Sequence, residues 1–296
     1  MTAEKKLTLT IFTDPMMGLS YESEPFFRKL ETHFQQQIQF RYVMSGLVRN
    51  VYDFVDPEDL KVSQEYALEK YMLQLAAIYK SEENITGMPI NMTDFQLFTT
   101  EFNSSIPLNL AYKAAQLADS NKADHFLYRL RFATVAECRP TTRLKEILAV
   151  VADTGINVNE FLKHYQDGSA QAALDDDFNL RQSLDVRGLP AYLFEYDGKQ
   201  VMINGVIGYE QFYNIIKNLS DGKVSAHQPE VSTNSIRDLI NLHPLISSIE
   251  IKDAFSLRDL SAVKALIGFV NGMVASHLLC HSGTINRHSL NGALLS

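Results

Sequence analysis

The sequence predicts an α/β protein whose single sheet is formed by two separated segments of the chain, with a block of helices inserted between them. Alternating apolar residues at 7–13 and 39–44 enclose a segment of helical period, and a second alternating region begins after Pro190. Between these regions, residues 56–184 repeat their apolar side chains at helical spacing. The predicted order is therefore β-α-β, several helices, then β-β-α.

The first half of the sheet begins with a strand at 7–13, which is rich in β-branched and aromatic residues and stops at Asp14-Pro15. A helix follows at 21–34, because the apolar side chains recur every three or four residues at Phe26, Phe27, Leu30 and Phe34. The strand at 39–44 completes a β-α-β unit.

Start and stop signals divide the middle of the chain. Asp56 before Pro57 is typical of an N-cap and a first-turn proline, and Asn157 with Glu160 resembles a capping box. Residues 84–103 are irregular and predict a long loop. The predicted helices are 56–79, 105–118, 122–136, 142–154, 158–165 and 169–184, the last with Ser169 as its cap.

The second half of the sheet follows Pro190, where apolar residues alternate up to a two-residue turn at Asp197-Gly198 and again at 201–205. A helix at 209–219 closes this unit. We expect this first domain to cover residues 1–220, with the helical insertion at about 56–185.

The remaining chain predicts a small second domain. Residues 221–233 are polar, contain Gly, Ser and Pro, and predict a linker. Residues 234–296 then predict three helices and a weak β-hairpin, which together favour a winged-helix-like α+β domain. The helices are expected at 235–242, 248–255 and 258–273, and the hairpin strands at 275–280 and 284–288.

The amino-acid composition argues against several classes of function. The 296 residues are 46% hydrophobic and carry a formal net charge of −8, which argues against general nucleic-acid binding. Neither a signal-peptide pattern nor an apolar run long enough to span a bilayer occurs, so we expect a cytoplasmic protein without membrane contact. The two cysteines, Cys138 and Cys280, are far apart and form no disulfide framework or zinc-ribbon pattern.

The predicted order of elements is that of a thioredoxin fold with a helical insertion. Residues 14–21 (DPMMGLSY) and 188–190 (GLP) resemble the DsbA-like family of thioredoxin-fold proteins, including its cytosolic dithiol-disulfide isomerase-like branch. The resemblance covers roughly residues 5–220. In that family the first strand runs into a motif of the form Asp-Pro-x-Cys-Pro-x-Cys-Tyr, and a cis-proline precedes the third strand.

The resemblance breaks at the residues that carry the chemistry. Met17 and Ser20 take the two cysteine positions, and Pro190 takes the position of the cis-proline. Thiol exchange needs a thiolate nucleophile and a second, resolving thiol, so the resemblance predicts no dithiol chemistry at this site. Ser20 has no histidine nearby in sequence to activate it.

What remains is a surface for an extended peptide beside the cis-proline. The overall layout is similar to cytosolic adaptor proteins of Gram-positive bacteria that deliver a transcription regulator to the ClpXP protease. The resemblance therefore implies a redox-inactive adaptor without a cofactor, and its partner would be a protein or extended peptide. The peptide-binding residues expected on this basis are Met16, Met17, Gly18, Leu19, Ser20, Leu189 and Pro190.

Alternative interpretations of the motif stay open. Residues 16–20 could be a helix start with Ser20 as N-cap and the methionines packed under the insertion. A residual thiol oxidoreductase could act through Cys138 in the insertion, although a lone thiol cannot run a dithiol cycle. A glutathione-linked isomerase or transferase is a further alternative, similar to the kappa-type glutathione transferase group, but that group has a serine where this chain has Met17.

The C-terminal part offers two further hypotheses. A histidine and cysteine cluster matches no zinc-binding spacing, so no metal site is expected there; its members are His277, Cys280, His281 and His288. DNA binding through the helix at 258–273 is disfavoured, because Arg258 and Lys264 are the only basic residues in this helix. Residues 227–296 also carry as many acidic residues as lysines and arginines. Protein docking is the favoured interpretation.

Overall fold

A computed structural model describes residues 5–267 and contains one four-stranded sheet in the order β2-β1-β3-β4. The strands are β1 (Leu7–Thr13), β2 (Ile38–Met44), β3 (Ala191–Tyr196) and β4 (Lys199–Asn204). β1 pairs in parallel with β2 and antiparallel with β3, which pairs antiparallel with β4. The predicted α/β class, with a parallel β-α-β half and an antiparallel β-β-α half, is confirmed.

The helices follow the predicted order, with a large group between β2 and β3. They are α1 (Gly18–Glu22), α2 (Glu24–Phe34), α3 (Pro57–Leu60), α4 (Gln64–Glu82), α5 (Ile106–Ala118), α6 (Ala123–Val135), α7 (Leu144–Asp153), α8 (Val158–Gln166), α9 (Ser169–Ser183), α10 (Tyr209–Leu219), α11 (Thr233–Leu242), α12 (Ser248–Ala254) and α13 (Leu260–Ile267). Helices α3 to α9 form the insertion. The irregular segment 84–103 contains no helix or strand.

In place of the single helix predicted at 21–34, the structure has two helices, and the first of them begins earlier. Helical conformation begins at Gly18, and Ser23 separates α1 from α2. The break has a local cause, because Pro25 stands in the first turn of α2 and has no N–H to donate to the preceding turn. The motif segment therefore has its own short helix.

Two helix starts in the insertion also differ from the prediction. The single helix predicted at 56–79 is divided, because the Ser63 side chain accepts a hydrogen bond from the Tyr66 N–H and begins α4 there. Asp56 caps α3 as predicted, with its side chain accepting from the Glu58 N–H. Ser169 is the first residue of α9, and Gly168 with φ 89° is its N-cap.

The hydrophobic core lies on both faces of β1. Leu7, Leu9 and Ile11 belong to the main cluster, which extends through α2, α10 and the inserted helices. Phe12 points to the opposite face and packs with Val43, Ala191 and Leu193 in a smaller cluster. Burial on both faces explains why β1 and β3 are rich in apolar residues, and it places the end of β1 beneath the insertion.

The C-terminal helices pack against the first half of the sheet domain. α11, α12 and α13 share an apolar cluster that includes Ile236, Ile251 and Phe255, and α12 lies on α2, where the Thr32 hydroxyl donates to the Ala254 carbonyl oxygen at 3.2 Å. The predicted hairpin at 275–280 and 284–288 lies outside the described residues. The winged-helix-like domain therefore stays a prediction. Within residues 5–267, no helix is both long enough and apolar enough to cross a membrane.

Candidate functional site

The motif segment is the turn and first helix that follow β1. Met17, not Ser20, is the N-cap of α1, so the alternative interpretation is wrong about the cap. Its other two parts are confirmed, because a helix begins within residues 16–20 and both methionines are buried. The Met17 N–H donates to the Asp14 carbonyl oxygen at 3.1 Å, and this turn brings the chain directly from β1 into helical conformation. Ser20 therefore lies inside the helix, with its side chain directed into the protein.

Asp14 fixes this turn to the rest of the molecule. Its carboxylate is fully buried and accepts hydrogen bonds from the N–H groups of Met16 at 3.0 Å and Leu47 at 2.7 Å. The Ser105 hydroxyl and the Asn109 amide of α5 donate to it at 2.7 and 2.8 Å. Burial raises the pKa of Asp14 above its ordinary value, while these donors act in the opposite direction. One side chain thus ties β1, the segment after β2 and the insertion together.

Ser20 belongs to a buried chain of hydrogen bonds. Arg131 Nη2 donates to the Thr13 hydroxyl at 2.7 Å, and the Thr13 and Ser20 hydroxyl oxygens are 2.7 Å apart. The Ser20 hydroxyl donates to the Met17 sulfur at 3.3 Å. Either hydroxyl can donate in the contact between Thr13 and Ser20, and the chain of contacts runs from Arg131 to the Met17 thioether.

This arrangement leaves Ser20 without an activating base. A thioether sulfur is a weak acceptor that does not take up a proton, and the neighbouring Thr13 hydroxyl is not a base at neutral pH. Ser20 is also 1% exposed. The geometry therefore holds Ser20 as a structural hydroxyl, because a nucleophilic serine requires both a base and access to substrate.

Helix α4 closes the outer side of the motif. The Tyr79 hydroxyl donates to the Met16 carbonyl oxygen. A Cβ atom placed on Gly18 would meet the Glu82 carboxylate and would lie 2.6 Å from Cδ1 of the Tyr79 ring. Only glycine fits at position 18, where the DsbA-like motif has a proline. The absence of a Cβ atom at position 18 allows α4 to approach this closely.

Glu82 also changes the electrostatics at the start of α1. Its Oε2 atom is buried without a hydrogen-bond partner among the described residues. Burial and, secondarily, the charge of Glu22 raise the pKa of Glu82 to about 7. A carboxylate here disfavours a second negative charge, so the position suits neither a thiolate nor the carboxylates of a glutathione-like ligand.

The residues expected to form a peptide-binding surface are brought together, but most are covered. Met16 and Met17 are 1% and 5% exposed, and Gly18 and Pro190 are buried as well. The Leu189-Pro190 bond is cis, as the resemblance implies. Pro190 precedes Ala191, whose register partner is Phe12, so it lies beside the end of β1. Leu19 and Leu189 are half-buried and are the accessible members of this set of residues.

Cys138 lies in the segment between α6 and α7. Its thiol donates to the Thr93 carbonyl oxygen at 3.2 Å, which ties it to the 84–103 loop. Burial and the neighbouring Asp94 raise the pKa of Cys138 to about 11. The thiol is therefore almost entirely protonated at neutral pH and is a poor nucleophile. Cys280 and the histidine cluster at 277–288 lie outside the described residues.

Sequence reasoning missed a buried group of charged residues between α2, α6 and α12. Glu24 accepts from Arg131 at 2.8 Å and from Arg28 at 3.1 Å, and Arg28 also pairs with Glu31. Glu250 of α12 accepts from the Tyr128 hydroxyl at 2.7 Å. Arg131 continues into the Ser20 hydrogen-bond chain, so the group connects the motif to the C-terminal helices.

A sequence signal for part of this group exists. Arg131 stands four residues after Leu127 and three before Thr134, on the buried face of α6, where a charged residue needs a partner. No periodicity identifies that partner, because Glu24 is more than a hundred residues away in sequence. The partner became evident only when the fold placed α6 beside α2.

Comparisons with known proteins agree with this geometry. Residues 10–215 match a family model described as thioredoxin. The ClpXP adapter protein SpxH of Shouchella clausii is 21% identical over 268 residues, which cover 89% of this chain and 82% of that protein. SpxH of Bacillus cereus is 24% identical over 219 residues, covering 73% of this chain and 69% of that protein.

Two solved structures share the fold. A protein from Nitrosomonas europaea assigned as a disulfide isomerase superposes with a TM-score of 0.59 and 16% identity, covering 72% of this chain and 97% of that one. A probable DsbA oxidoreductase from Streptomyces coelicolor gives a TM-score of 0.55 and 14% identity, covering 72% and 89%. Each superposition covers 72% of this chain and so leaves 28% of it uncovered.

Proposed function

This chain belongs to the thioredoxin family, and from that premise we propose that it is a protein-binding adaptor that performs no dithiol chemistry. The observation that carries the proposal is the closed state of the motif. Met17 and Ser20 stand at the two cysteine positions, both buried, and the Ser20 hydroxyl donates to the Met17 sulfur. The thioredoxin fold is retained, but the positions of the two nucleophilic cysteines hold buried residues without thiols. This combination favours protein binding over thiol chemistry.

The matched relatives indicate which class of partner protein to expect. The SpxH proteins matched by most of this chain are adapters of ClpXP, so the partners we propose are the ClpXP protease and a protein that it degrades. The proposed location is the cytoplasm. Helix α12 lies against α2, and we propose that residues from 234 onward form a separate domain and supply a second docking surface.

The proposed peptide surface lies beside the cis-proline and comprises Leu19 and Leu189 with the edges of the buried motif residues. Leu189 is half-buried and next to the end of β1, which suits an extended segment that pairs through its backbone. In this proposal the buried side chains of Met16 and Met17 pack beneath the surface and contribute its apolar interior. A substitution at Leu189 is therefore the informative one, because a charge at buried Met17 would disturb packing as well as binding.

The function is tested by protein half-lives in the organism that encodes the chain. After a translation block, we expect at least one protein to be degraded more slowly in a strain lacking this chain and equally slowly in a strain lacking ClpX. A strain expressing Leu189→Asp should behave like the deletion, whereas Leu144→Asp, at a partly exposed leucine on α7, should behave like the wild type. If no half-life depends on both this chain and ClpX, the adaptor proposal fails.

The absence of dithiol chemistry is tested separately on the purified protein. We expect no insulin reduction in the presence of dithiothreitol beyond the uncatalysed rate, and the same result for Cys138→Ser. Catalysis that disappears in Cys138→Ser would instead support the residual oxidoreductase alternative.

A further inference from the structure

A groove runs along the outer side of the insertion, away from the motif. It has a volume of about 720 Å³ and lies between α4 and residues 92–100; we call it the α4 groove. The α4 side is formed by residues one turn apart, from Glu65 to Ala76. At 1.5 Å per residue this stripe is roughly 16 Å long, enough to hold about three turns of a second helix.

Seven of the thirteen residues that line the α4 groove are apolar: Leu68, Met72, Leu73, Ala76, Met92, Phe95 and Phe98. Leu73 projects into solvent with 70% of its surface exposed, although it stands among apolar groove residues that include Met72 and Phe95. A large apolar side chain this exposed, next to the other apolar residues of a concave surface, favours a contact site. The methionines Met72 and Met92 add side chains that adapt to different partners.

The loop that forms the second wall is held in place. Phe95 packs edge-on against Tyr79 with ring centroids 5.5 Å apart, and the Lys80 ammonium donates to the Ile90 carbonyl oxygen at 2.9 Å. The Cys138 thiol holds the Thr93 carbonyl oxygen from the other side. The groove is therefore formed before any partner arrives, which lowers the entropic cost of binding.

The charges around the α4 groove have one sign. Its ionisable lining residues are Glu65, Glu69 and Asp94, with no lysine, arginine or histidine among the residues that line it. Across residues 5–267 these three carboxylates form no ion pair. Lys70, the nearest cation along α4, is paired with Asp59 at 2.7 Å. A groove that combines apolar side chains with carboxylates outside any ion pair is complementary to an amphipathic segment carrying apolar and basic side chains.

We propose that the α4 groove binds an amphipathic, basic helix of a partner protein, with apolar side chains seated around Leu73 and lysine or arginine side chains facing Glu65 and Glu69. This inference rests on the adaptor function for its biological role and gives that function a second partner surface, separate from the one beside Pro190. The binding itself is an independent property of the purified chain.

The test uses synthetic peptides, because the natural partner is unidentified. A fluorescein-labelled 18-residue helix of leucine and lysine is compared with an analogue in which glutamate replaces every lysine, by fluorescence anisotropy. We expect the lysine peptide to bind at least tenfold more tightly than the glutamate peptide, about 1.4 kcal/mol, and to weaken as salt is raised. Equal binding of both peptides would overturn the proposal.

Variants then locate the binding. Leu73→Asp and Glu69→Lys should each weaken the lysine peptide about tenfold, and the double variant Glu65→Lys/Glu69→Lys should prefer the glutamate peptide. Leu117→Asp, at an exposed leucine on α5 outside the groove, is the matched control and should bind like the wild type. All four changes are at exposed side chains, so loss of binding will not reflect unfolding.

Two outcomes separate this proposal from the others. If Leu73→Asp and Glu69→Lys bind the lysine peptide like the wild type, the α4 groove proposal is wrong even where the half-life experiment supports an adaptor. If sedimentation shows a dimer that Leu73→Asp converts to a monomer, the occupant is a second copy of this chain, and the basic-helix proposal is also wrong. If the peptide binds but no half-life depends on ClpX, the α4 groove proposal stands and the adaptor proposal fails.

Discussion

Arg28 Nε and Glu250 Oε1 lie 3.6 Å apart in the contact between α2 and α12, where both side chains are buried. Arg28 already pairs with Glu24 and Glu31, so Glu250 is a third carboxylate on one guanidinium. Burial raises the pKa of Glu250 to about 7, and the attraction of Arg28 only partly offsets this. The attachment of the C-terminal helices therefore depends on a carboxyl group that titrates near neutral pH.

The first prediction concerns the pH dependence of stability at this contact. The folded pKa of Glu250 lies above the ordinary value of an unfolded glutamate, so the folded state binds more protons between about pH 4.5 and 7. The Glu250 contribution is thus most favourable below about pH 4.5 and declines as pH rises to about 7. Relative to Glu250→Gln, the wild-type free energy of unfolding should fall by roughly 1–3 kcal/mol between pH 5 and pH 8.

Urea denaturation at the two pH values measures this difference. Glu58→Gln is the control, because Glu58 is an exposed glutamate on α3, and it should change the free energy of unfolding by less than about 1 kcal/mol at either pH. Comparing each variant with the wild type removes the contributions of other titrating groups, among them His243, whose pKa burial lowers. A wild-type advantage over Glu250→Gln that grows with pH would contradict the prediction.

The second prediction concerns Gly18. Gly18→Ala places a methyl group against the Glu82 carboxylate and the Tyr79 ring, which is held by its hydrogen bond to the Met16 carbonyl oxygen. We expect a loss of about 1–3 kcal/mol in the free energy of unfolding. Gly188→Ala is the matched control, because a Cβ there meets no atom within 4 Å. Adding Glu82→Ala to Gly18→Ala should recover part of the loss; no recovery would mean that the strain lies elsewhere.

The third prediction concerns Arg131. Arg131→Met keeps much of the side-chain volume but leaves Glu24 with Arg28 as its remaining cation and removes the donor to Thr13. Removing one partner of a buried ion pair costs roughly 3–5 kcal/mol, so thermal denaturation should show a strongly destabilised protein. Arg187→Met, at an exposed arginine paired with Asp185, should change stability by less than about 1 kcal/mol. Equal effects of the two substitutions would mean that the buried interactions of Arg131 with Glu24 and Thr13 do not stabilise the protein.

Sequence patterns predicted the sheet more accurately than the site. β1 is rich in β-branched residues and begins by alternating Leu with Thr. Its observed bounds are the predicted ones, because a strand is recognised from neighbouring residues alone. The contact of Glu82 with Gly18 joins residues 64 positions apart, and no local pattern encodes it. The sequence did indicate that Met17 and Ser20 replace cysteines, but whether they lie in an open or a closed surface depends on how α4 packs. That is a tertiary property.

The last prediction restores the missing cysteines. In a Cys138→Ser/Cys280→Ser background, Met17→Cys/Ser20→Cys places two thiols at positions that are 5% and 1% exposed, next to the Glu82 carboxylate. Desolvation and that charge both disfavour the thiolate, so the thiols should react with Ellman's reagent at least about tenfold more slowly in the native protein than in urea. Adding Glu82→Gln removes the charge without shortening the side chain and should raise the native rate, while Glu83→Gln, at the adjacent and partly exposed glutamate, should not. Rapid native reaction at pH 7 before any change to Glu82 would show that α4 does not close the motif in solution.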